Sequence, residues 1–323
     1  MIDSLHWIHD GELVVVATRG KVVMPSRRSP EAIGPVPTGP VPTGPVPTGP
    51  VPTLSRRHAA GAPSARGLLF TLLGELVLSG DGTAWTSAVL AAFARLGIEE
   101  KATRQALIRT AAAGWLDAEK LGRRTRWRLT ASARRLLTDG AERIYSFTGP
   151  AEGWDGRWLL VYARIPESDR RARHVVRSRL SWAGFGSLGA GLWISPHPDR
   201  AGEATEVARE AGIAEDAHLF VARRSGLADV RVMVAAAWDL GAVEEQYEQF
   251  IEEFRAAAPE DVLARQVELV HAWRRFPSVD PVLPRELLPA RWSGLKAARL
   301  FADRHQRWSA DARMEWKRLN DIG

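Results

Sequence analysis

The chain has 323 residues, of which 45% are hydrophobic and 25% are charged, and its formal net charge is +6. It contains no cysteine, which excludes disulfide bonds, thiolate metal sites and a cysteine nucleophile. The longest apolar run near the N-terminus, ELVVVAT, is too short for a signal peptide or a membrane span. We therefore expect a cytoplasmic protein of two or three domains that does not enter a membrane.

Residues 1–65 include a perfect repeat. Residues 34–53 are four copies of Gly-Pro-Val-Pro-Thr. Proline and glycine at this density disfavour both helix and sheet, and the period of five residues is not that of collagen. We expect a disordered tail and assign no activity to it.

Residues 66–145 have the element order of a winged helix-turn-helix, with three helices followed by a β-hairpin. Leucines at helical spacing predict the buried face of the first helix, namely Leu69, Leu72, Leu73 and Leu76. The second helix is expected to be capped by Thr86 and to turn inward Val89, Leu90, Phe93 and Leu96. A third helix is expected from Glu99 to about Ala113, where Gly114 ends it. The strands WLDAEK and TRWRLT, joined by LGRR, then form the hairpin.

The excess positive charge lies in this same segment. Residues 66–135 carry 12 basic and 6 acidic side chains, whereas residues 136–323 carry 26 basic and 28 acidic ones. Such a concentration of charge in one module is typical of a protein that binds a polyanion such as nucleic acid.

The second strand of the hairpin is predicted to be a basic wing. Because alternate residues of a strand face opposite sides, Arg124, Arg126 and Arg128 share the outer face. The opposite face, which is expected to close the core, consists of Thr125, Trp127 and Leu129. Arginines in such a wing suit phosphates or the minor groove of DNA.

The third helix is predicted to be the recognition helix. Its inward positions are Thr103, Ala106, Leu107 and Thr110. The opposite face offers arginine for guanine, glutamine for adenine and an apolar side chain for a thymine methyl group. An ordinary solvated face is the alternative. The candidate DNA-binding residues of helix and wing are Lys101, Arg104, Gln105, Ile108, Arg109, Arg123, Arg124, Arg126 and Arg128.

Long motifs in residues 65–310 resemble the PaaX family of bacterial transcriptional regulators. They include RGLLFTLLGELVLSGDGTAWTSAVLAAFARLGIEEKATRQALIRTAAAGWLDAEKLGRRTRWRLT, SWAGFGSLGAGLWISP, AAAWDL and DPVLPRELLPARWSGLKAARLF. The resemblance implies a dimeric repressor of phenylacetic acid catabolism genes that phenylacetyl-coenzyme A releases from double-stranded operator DNA.

Residues 150–240 predict a small ferredoxin-like α+β domain with the element order β-α-β-α-β-β. The four expected strands are RWLLVYARI, GLWISP, AHLFVARR and RVMVAAAWDL. Helices are expected from Ser168 to about Trp182 and near Glu203–Ala211. The exposed strand edges and near-neutral charge of this domain suit a dimer interface.

Two enzymatic interpretations of the middle domain are weak. Its start is similar to the small nuclease-like subunits of CRISPR spacer acquisition, but Ala163 and Arg164 stand where those carry a metal-binding aspartate. The run from Gly184 to Gly189 satisfies G-x-G-x-x-G, yet it follows a helix and precedes a strand, the reverse of a dinucleotide site. We expect no catalytic residues, no metal and no cofactor, and we interpret these glycines as a tight turn.

Residues 241–323 predict a mainly helical effector-response domain rich in tryptophan and arginine. Aromatic walls suit an aromatic acyl group, and arginines suit the phosphates of coenzyme A. The candidate effector-binding residues are Trp273, Arg274, Arg275, Arg291 and Trp292. Ordinary core packing is the alternative for each aromatic residue.

The sequence as a whole therefore predicts an α+β, homodimeric, effector-responsive repressor. An activator, or a regulator of a different acyl-CoA pathway, is the nearest alternative. A metal-dependent nuclease built on the middle domain and a nucleic-acid binder without sequence preference are alternatives from other classes.

Overall fold

A computed structural model describes residues 64–147, 149, 153–226, 229–256 and 258–322, together with one short hairpin nearer the N-terminus. That hairpin pairs β1 (Ile8–His9) with β2 (Glu12–Leu13) and belongs to the first of the two units into which the chain divides, residues 1–49 and 50–323. The Gly-Pro-Val-Pro-Thr repeats lie outside the described residues, so their expected disorder stays a prediction. The remainder is an α+β structure, as predicted.

The first part of the larger unit contains four helices and a three-stranded antiparallel sheet. Its elements in chain order are α1 (Ala65–Leu72), β3 (Thr83–Trp85), α2 (Thr86–Arg95), α3 (Glu100–Ala112), β4 (Leu116–Leu121), β5 (Arg124–Leu129) and α4 (Ala131–Tyr145). A π-helical turn, Leu73–Val77, continues α1 without a break. The strand order is β3-β5-β4. The hairpin bounds agree with the prediction to within one residue, and Gly114, with φ 76°, follows α3 as expected.

The predicted core of this part is largely confirmed. The four leucines of α1 and its π turn are buried, as are Val89, Phe93, Trp127 and Leu129, whereas Leu90 and Leu96 are only half-buried. Thr86 does not cap α2, because Trp85 occupies the cap position. Instead the Thr86 hydroxyl donates to the Thr125 carbonyl oxygen at 3.1 Å and accepts from the Trp127 indole at 3.0 Å. Thr86 thereby fixes the base of the hairpin to α2.

The middle part has the observed order β-α-β-β-α-β. Its elements are β6 (Arg157–Ala163), α5 (Arg170–Trp182), β7 (Gly186–Gly189), β8 (Leu192–Ser195), α6 (Ala201–Glu210) and β9 (Ala217–Arg223). The antiparallel sheet has the order β7-β8-β6-β9. Helices α5 and α6 cover one face of the sheet over a core that includes Leu159, Val161, Val176 and Phe185.

The predicted order β-α-β-α-β-β was wrong in two places, at an expected turn and at an expected strand. The glycine-rich run Gly186–Gly189 is not a mere turn but forms β7, preceded by Gly184 at φ 80°. A Cβ atom at Gly186 would lie 2.7 Å from Ala237 Cβ, so only glycine fits this approach. Conversely, the expected strand in RVMVAAAWDL is a helix, α7 (Val230–Ala237). Asp229 caps it by accepting from the Arg231 amide at 2.9 Å, and its alanines favour helix over strand.

The C-terminal part is helical, as predicted. It comprises α8 (Leu240–Glu253), α9 (Val262–Trp273), the short α10 (Phe276–Val279) and the long α11 (Gly294–Ile322). Four of its buried side chains, Leu263, Val267, Ala312 and Trp316, belong to the same apolar cluster as the leucines of α1. The C-terminal helices therefore complete the core of the N-terminal part.

Among the described residues, no helix is both long enough and apolar enough to span a bilayer.

Candidate nucleic-acid interface and its attachment

The exposed face of α3 carries the side chains that the sequence assigned to DNA. Thr103, Ala106, Leu107 and Thr110 are buried. The residues on the opposite face are all exposed, namely Lys101, Arg104, Gln105, Ile108 and Arg109. Ile108 is 62% exposed, which is unusual for a large apolar side chain on a helix that otherwise packs well. Arg104 donates to Glu100 at 2.7 Å. Breaking an exposed ion pair of this kind costs little free energy.

The wing arginines differ in the ion pairs and ring contacts that they already make within the chain. Arg126 donates to Glu119 of β4 at 2.8 Å, and Arg128 lies 3.5 Å from the same carboxylate. The guanidinium groups of Arg124 and Arg126 also lie over the Trp85 ring, at 5.0 and 5.7 Å from its centroid. Hydrogen bonding by Arg126 holds the pKa of Glu119 below its ordinary value.

Arg123 occupies the tip of the hairpin. It is exposed, and it forms no ion pair within the part of the chain that the structure describes. Its neighbour Gly122 adopts φ 64°, which a tight hairpin turn requires. Arg123 is therefore the wing cation that needs least rearrangement to reach a phosphate.

A buried carboxylate, which no sequence pattern indicated, joins the π turn after α1 to the C-terminal helices. This residue, Glu75, is 7% exposed. It accepts from Gln266 of α9 at 2.8 Å, lies 3.0 Å from His305 Nε2 of α11 and accepts a short hydrogen bond from Tyr145 of α4. A π turn often marks a functional position in a helix. Here it presents one carboxylate to three other helices.

Burial alone would raise the pKa of Glu75. The hydrogen bonds from His305, Tyr145 and Gln266, together with the charge of His305, outweigh burial and leave this pKa below its ordinary value. Glu75 is therefore ionised at neutral pH, and its partners compensate the buried charge.

One helical turn before Glu75, Thr71 makes further polar contacts with residues of the C-terminal part. Its hydroxyl lies 2.9 Å from His271 Nδ1 and accepts from Arg274 at 3.0 Å. Arg274 also donates to the Gly67 carbonyl oxygen at 3.2 Å. We call Thr71, Glu75, Gln266, Arg274 and His305 the polar seam. It fastens the helix that supports α3 to the C-terminal part.

The five predicted effector residues have different surroundings. Trp273 is fully buried and stacks on Phe301 at 4.7 Å, Arg274 belongs to the polar seam, and Arg291 is exposed. Arg275 lies over the Phe276 ring, and Trp292 packs edge-on against Tyr247 at 5.6 Å. Their role in effector binding stays a prediction.

A cavity of about 630 Å³ lies beside α7. Its wall is mainly apolar, and one cation, Arg231, belongs to the lining. The other lining residues are Val234, Ala235, Ala236, Ala237, Trp238, Asp239, Leu240, Gly241, Leu287, Leu288 and Pro289. Neither charge clusters nor aromatic periodicity pointed to it, because α7 was predicted to be a strand.

The middle part has no obvious metal centre. Ala163 ends β6 and Arg164 follows it, so a cation stands where a metal-binding carboxylate would be needed. Within the ranges that the structure covers, no group of three or more histidine, aspartate or glutamate side chains is placed to hold a metal.

Comparisons with known proteins identify the class. Family models match residues 64–133 (PaaX-like protein), 151–234 (PaaX protein central Cas2-like domain) and 238–318 (PaaX-like protein C-terminal domain). The transcriptional repressor PaaX of Escherichia coli (strain K12) is 33% identical over 267 residues, which cover 78% of this chain and 83% of the relative. A solved structure of an uncharacterized protein from Mycobacterium tuberculosis shares the fold, with a TM-score of 0.56 and 24% identity over 79% of this chain and 100% of that one.

The matches define a transcriptional regulator and not an enzyme. The chain belongs to the PaaX family, as the resemblance of its motifs predicted.

Proposed function

We propose that the chain is a homodimeric, sequence-specific DNA-binding repressor of phenylacetate-type catabolism genes, which acts in the cytoplasm and is released by an acyl-CoA. The observation that carries this proposal is the exposed face of α3 beside a basic hairpin. Helices α1, α2 and α3, with the sheet β3-β5-β4, have the arrangement expected of a winged helix-turn-helix. The function of the Escherichia coli relative, transcriptional repression, supports the same conclusion.

The middle part supports a dimer in this proposal. Its order β-α-β-β-α-β and sheet order β7-β8-β6-β9 are those of a ferredoxin-like fold. A twofold dimer would present two copies of α3 to an inverted repeat in the operator.

The first experiment separates base contacts from phosphate contacts. Arg104→Ala is expected to weaken operator binding by roughly 1–3 kcal/mol and to relax the sequence preference, because a base contact is lost. Arg123→Ala is expected to weaken all sequences alike and to lower the salt slope by about one unit, because a phosphate contact is lost. Anisotropy titrations on operator and random DNA at several salt concentrations measure both effects.

Arg299→Ala, at an exposed position of α11, is the matched control, since it removes the same charge far along the chain from both surfaces. Operator affinity equal to wild type in both test variants would contradict the placement of DNA on α3 and the wing. Equal loss on operator and random DNA in Arg104→Ala would favour a nucleic-acid binder without sequence preference.

The cavity beside α7 supports the effector part of the proposal better than the five residues predicted from sequence. Its volume is in the range of small-molecule sites, and its mainly apolar wall suits an acyl group. Of its two charged lining residues, Arg231 suits an anionic carrier, whereas the Asp239 carboxylate caps α8 by accepting from the Ala242 amide at 3.0 Å. The phenylacetyl group itself rests on the family resemblance. Deletion of residues 241–323 is not a clean test, because it also removes Trp316 and Val267 from the N-terminal core.

A filled cavity is expected to abolish the response without loss of DNA binding. Ala236 is an exposed lining residue. The larger side chain of Ala236→Phe therefore fills part of the cavity without displacing a buried side chain. We expect at least a tenfold weaker effect of phenylacetyl-CoA on the operator complex in this variant, with unchanged operator affinity in its absence. Anisotropy of a preformed complex during acyl-CoA titration measures it.

Ala310→Phe, on the exposed face of α11, controls for the added ring. A wild-type response in Ala236→Phe would place the effector elsewhere. Activation of the target promoter, instead of its repression, would favour the activator alternative, and a response to other acyl-CoAs but not to phenylacetyl-CoA would favour a different pathway.

A further inference from the structure

The outer edge of the middle sheet is an unusually open strand. Among the described residues, β9 pairs with β6 alone, so alternate backbone N–H and C=O groups of β9 face away from the described sheet. Its side chains are exposed for a strand, with Phe220 at 40% and Val221 at 45%. Natural proteins usually protect such an edge, because it can pair with another strand. The opposite edge strand, β7, packs against α7.

One face of this edge carries aromatic rings. The register between β6 and β9 places His218 opposite Tyr162 and Phe220 opposite Leu160. These residues lie on the face that α5 and α6 do not cover. Tyr162 is 39% exposed, and the rings of His218 and Phe220 are 6.5 Å apart. An aromatic patch therefore adjoins the unpaired edge.

The charges at the two ends of β9 are opposite in sign. Glu215 and Asp216 precede the strand, and Arg223 and Arg224 are its last residue and the next one. All four are exposed, and none forms an ion pair among the residues that the structure describes. The guanidinium of Arg223 lies 3.4 Å from the position of a Cβ at Gly156, and that of Arg224 lies 2.8 Å from the position of a Cβ at Gly226. Both side chains are exposed, so both cations are accessible to a second chain.

We infer that β9 pairs antiparallel with β9 of a second copy of this chain, with Phe220 opposite Phe220 on the twofold axis. This register sets Asp216 of each copy opposite Arg224 of the other. It also sets Val221 opposite Leu219 and extends the aromatic patch across the axis. Shifting the register by one pair either way separates Asp216 from Arg224, although the shift that puts Leu219 on the axis sets Glu215 opposite Arg223 instead. Only the register centred on Phe220 stacks the two Phe220 rings, and the charge variants of Asp216 and Arg224 distinguish it from the shifted one. An isologous interface must be self-complementary, and a strand with acid at one end, base at the other and an apolar middle meets this condition. The inference rests on the homodimer of the proposed function and names its surface.

Charge exchange tests this pairing in the full-length protein. Asp216→Arg places two like charges together at both ends of the interface, as does Arg224→Asp. We expect each single variant to weaken dimerisation at least about tenfold in sedimentation equilibrium. An equimolar mixture of the two variants restores opposite charges at both ends, as does the double variant Asp216→Arg/Arg224→Asp. Both are therefore expected to dimerise nearly as well as wild type.

The four charged residues are exposed, so the variants should melt like wild type, which circular dichroism checks. Unchanged dimerisation in both single variants, or a mixture no better than its components, would overturn the β9 interface. A monomeric wild type at micromolar concentration would overturn it as well. Operator titrations of the same proteins distinguish this inference from the proposed function. If the single variants remain dimers and bind operator, the β9 interface is rejected and the repressor proposal is unaffected.

Discussion

Replacement of Glu75 with leucine is expected to lower the free energy of unfolding at neutral pH by roughly 3–5 kcal/mol, because it leaves buried hydrogen-bonding partners without their acceptor. The affected partners are Gln266, His305 and Tyr145. Urea denaturation at pH 7 measures the loss. Since α1 supports α3 and the C-terminal helices at once, we expect one cooperative transition in wild type.

The pH dependence follows from the direction of the pKa shift. The pKa of Glu75 is lowered in the folded state, so its stabilisation is fully present above the unfolded value of about 4.3. This stabilisation is lost as the pH falls through the folded value. The gap in stability between wild type and Glu75→Leu should therefore narrow on acidification below the unfolded pKa.

A control variant and a double variant test the explanation of the Glu75→Leu result. Glu142→Ala removes an exposed carboxylate from α4 and should change stability by no more than about 0.5 kcal/mol. Glu75→Leu combined with His305→Leu should cost less than the sum of the two single changes, because the pair acts together. Wild-type stability of Glu75→Leu, or strict additivity with His305→Leu, would show that the polar seam does not hold these helices.

Replacement of Trp273 with alanine is expected to cost roughly 3–5 kcal/mol of stability. Trp273 is fully buried, stacks on Phe301 and also contacts Phe250 and Phe276 at ring distances of 5.3 and 5.1 Å. The reason is the cavity left in an aromatic core, not the loss of a ligand contact. Thermal and urea unfolding measure the effect.

Trp273→Phe, which keeps an aromatic ring in the same space, should lose much less. Operator binding and the acyl-CoA response of the folded fraction should match wild type in both variants. A variant with wild-type stability but no acyl-CoA response would contradict the core assignment and support the effector role predicted from the sequence.

Local sequence patterns by themselves determined most of the N-terminal part of the molecule. The leucine spacing of α1, the alternation of Arg126 and Trp127 in the hairpin and the stop at Gly114 each express a rule that acts over a few residues. Such rules decide which face of a helix or strand is buried, whatever lies on the other side. The long motifs of the sequence also predicted membership of the PaaX family, which the comparison with the Escherichia coli repressor confirms.

Tertiary contacts decided the rest. The helix α7 is an exception, because its Asp229 cap and its alanine run are local signals that the strand prediction overlooked. The cavity beside α7 was missed for that reason. Glycine at position 186 in β7 is required by the approach of Ala237, which lies some fifty residues further along the chain. The sequence did not predict that Arg274 hydrogen-bonds to Gly67 and Thr71 of α1, and its role in effector binding stays a prediction. No periodicity in the sequence predicts Glu75 at the junction of four helices, because its partners come from distant segments and only packing brings them together.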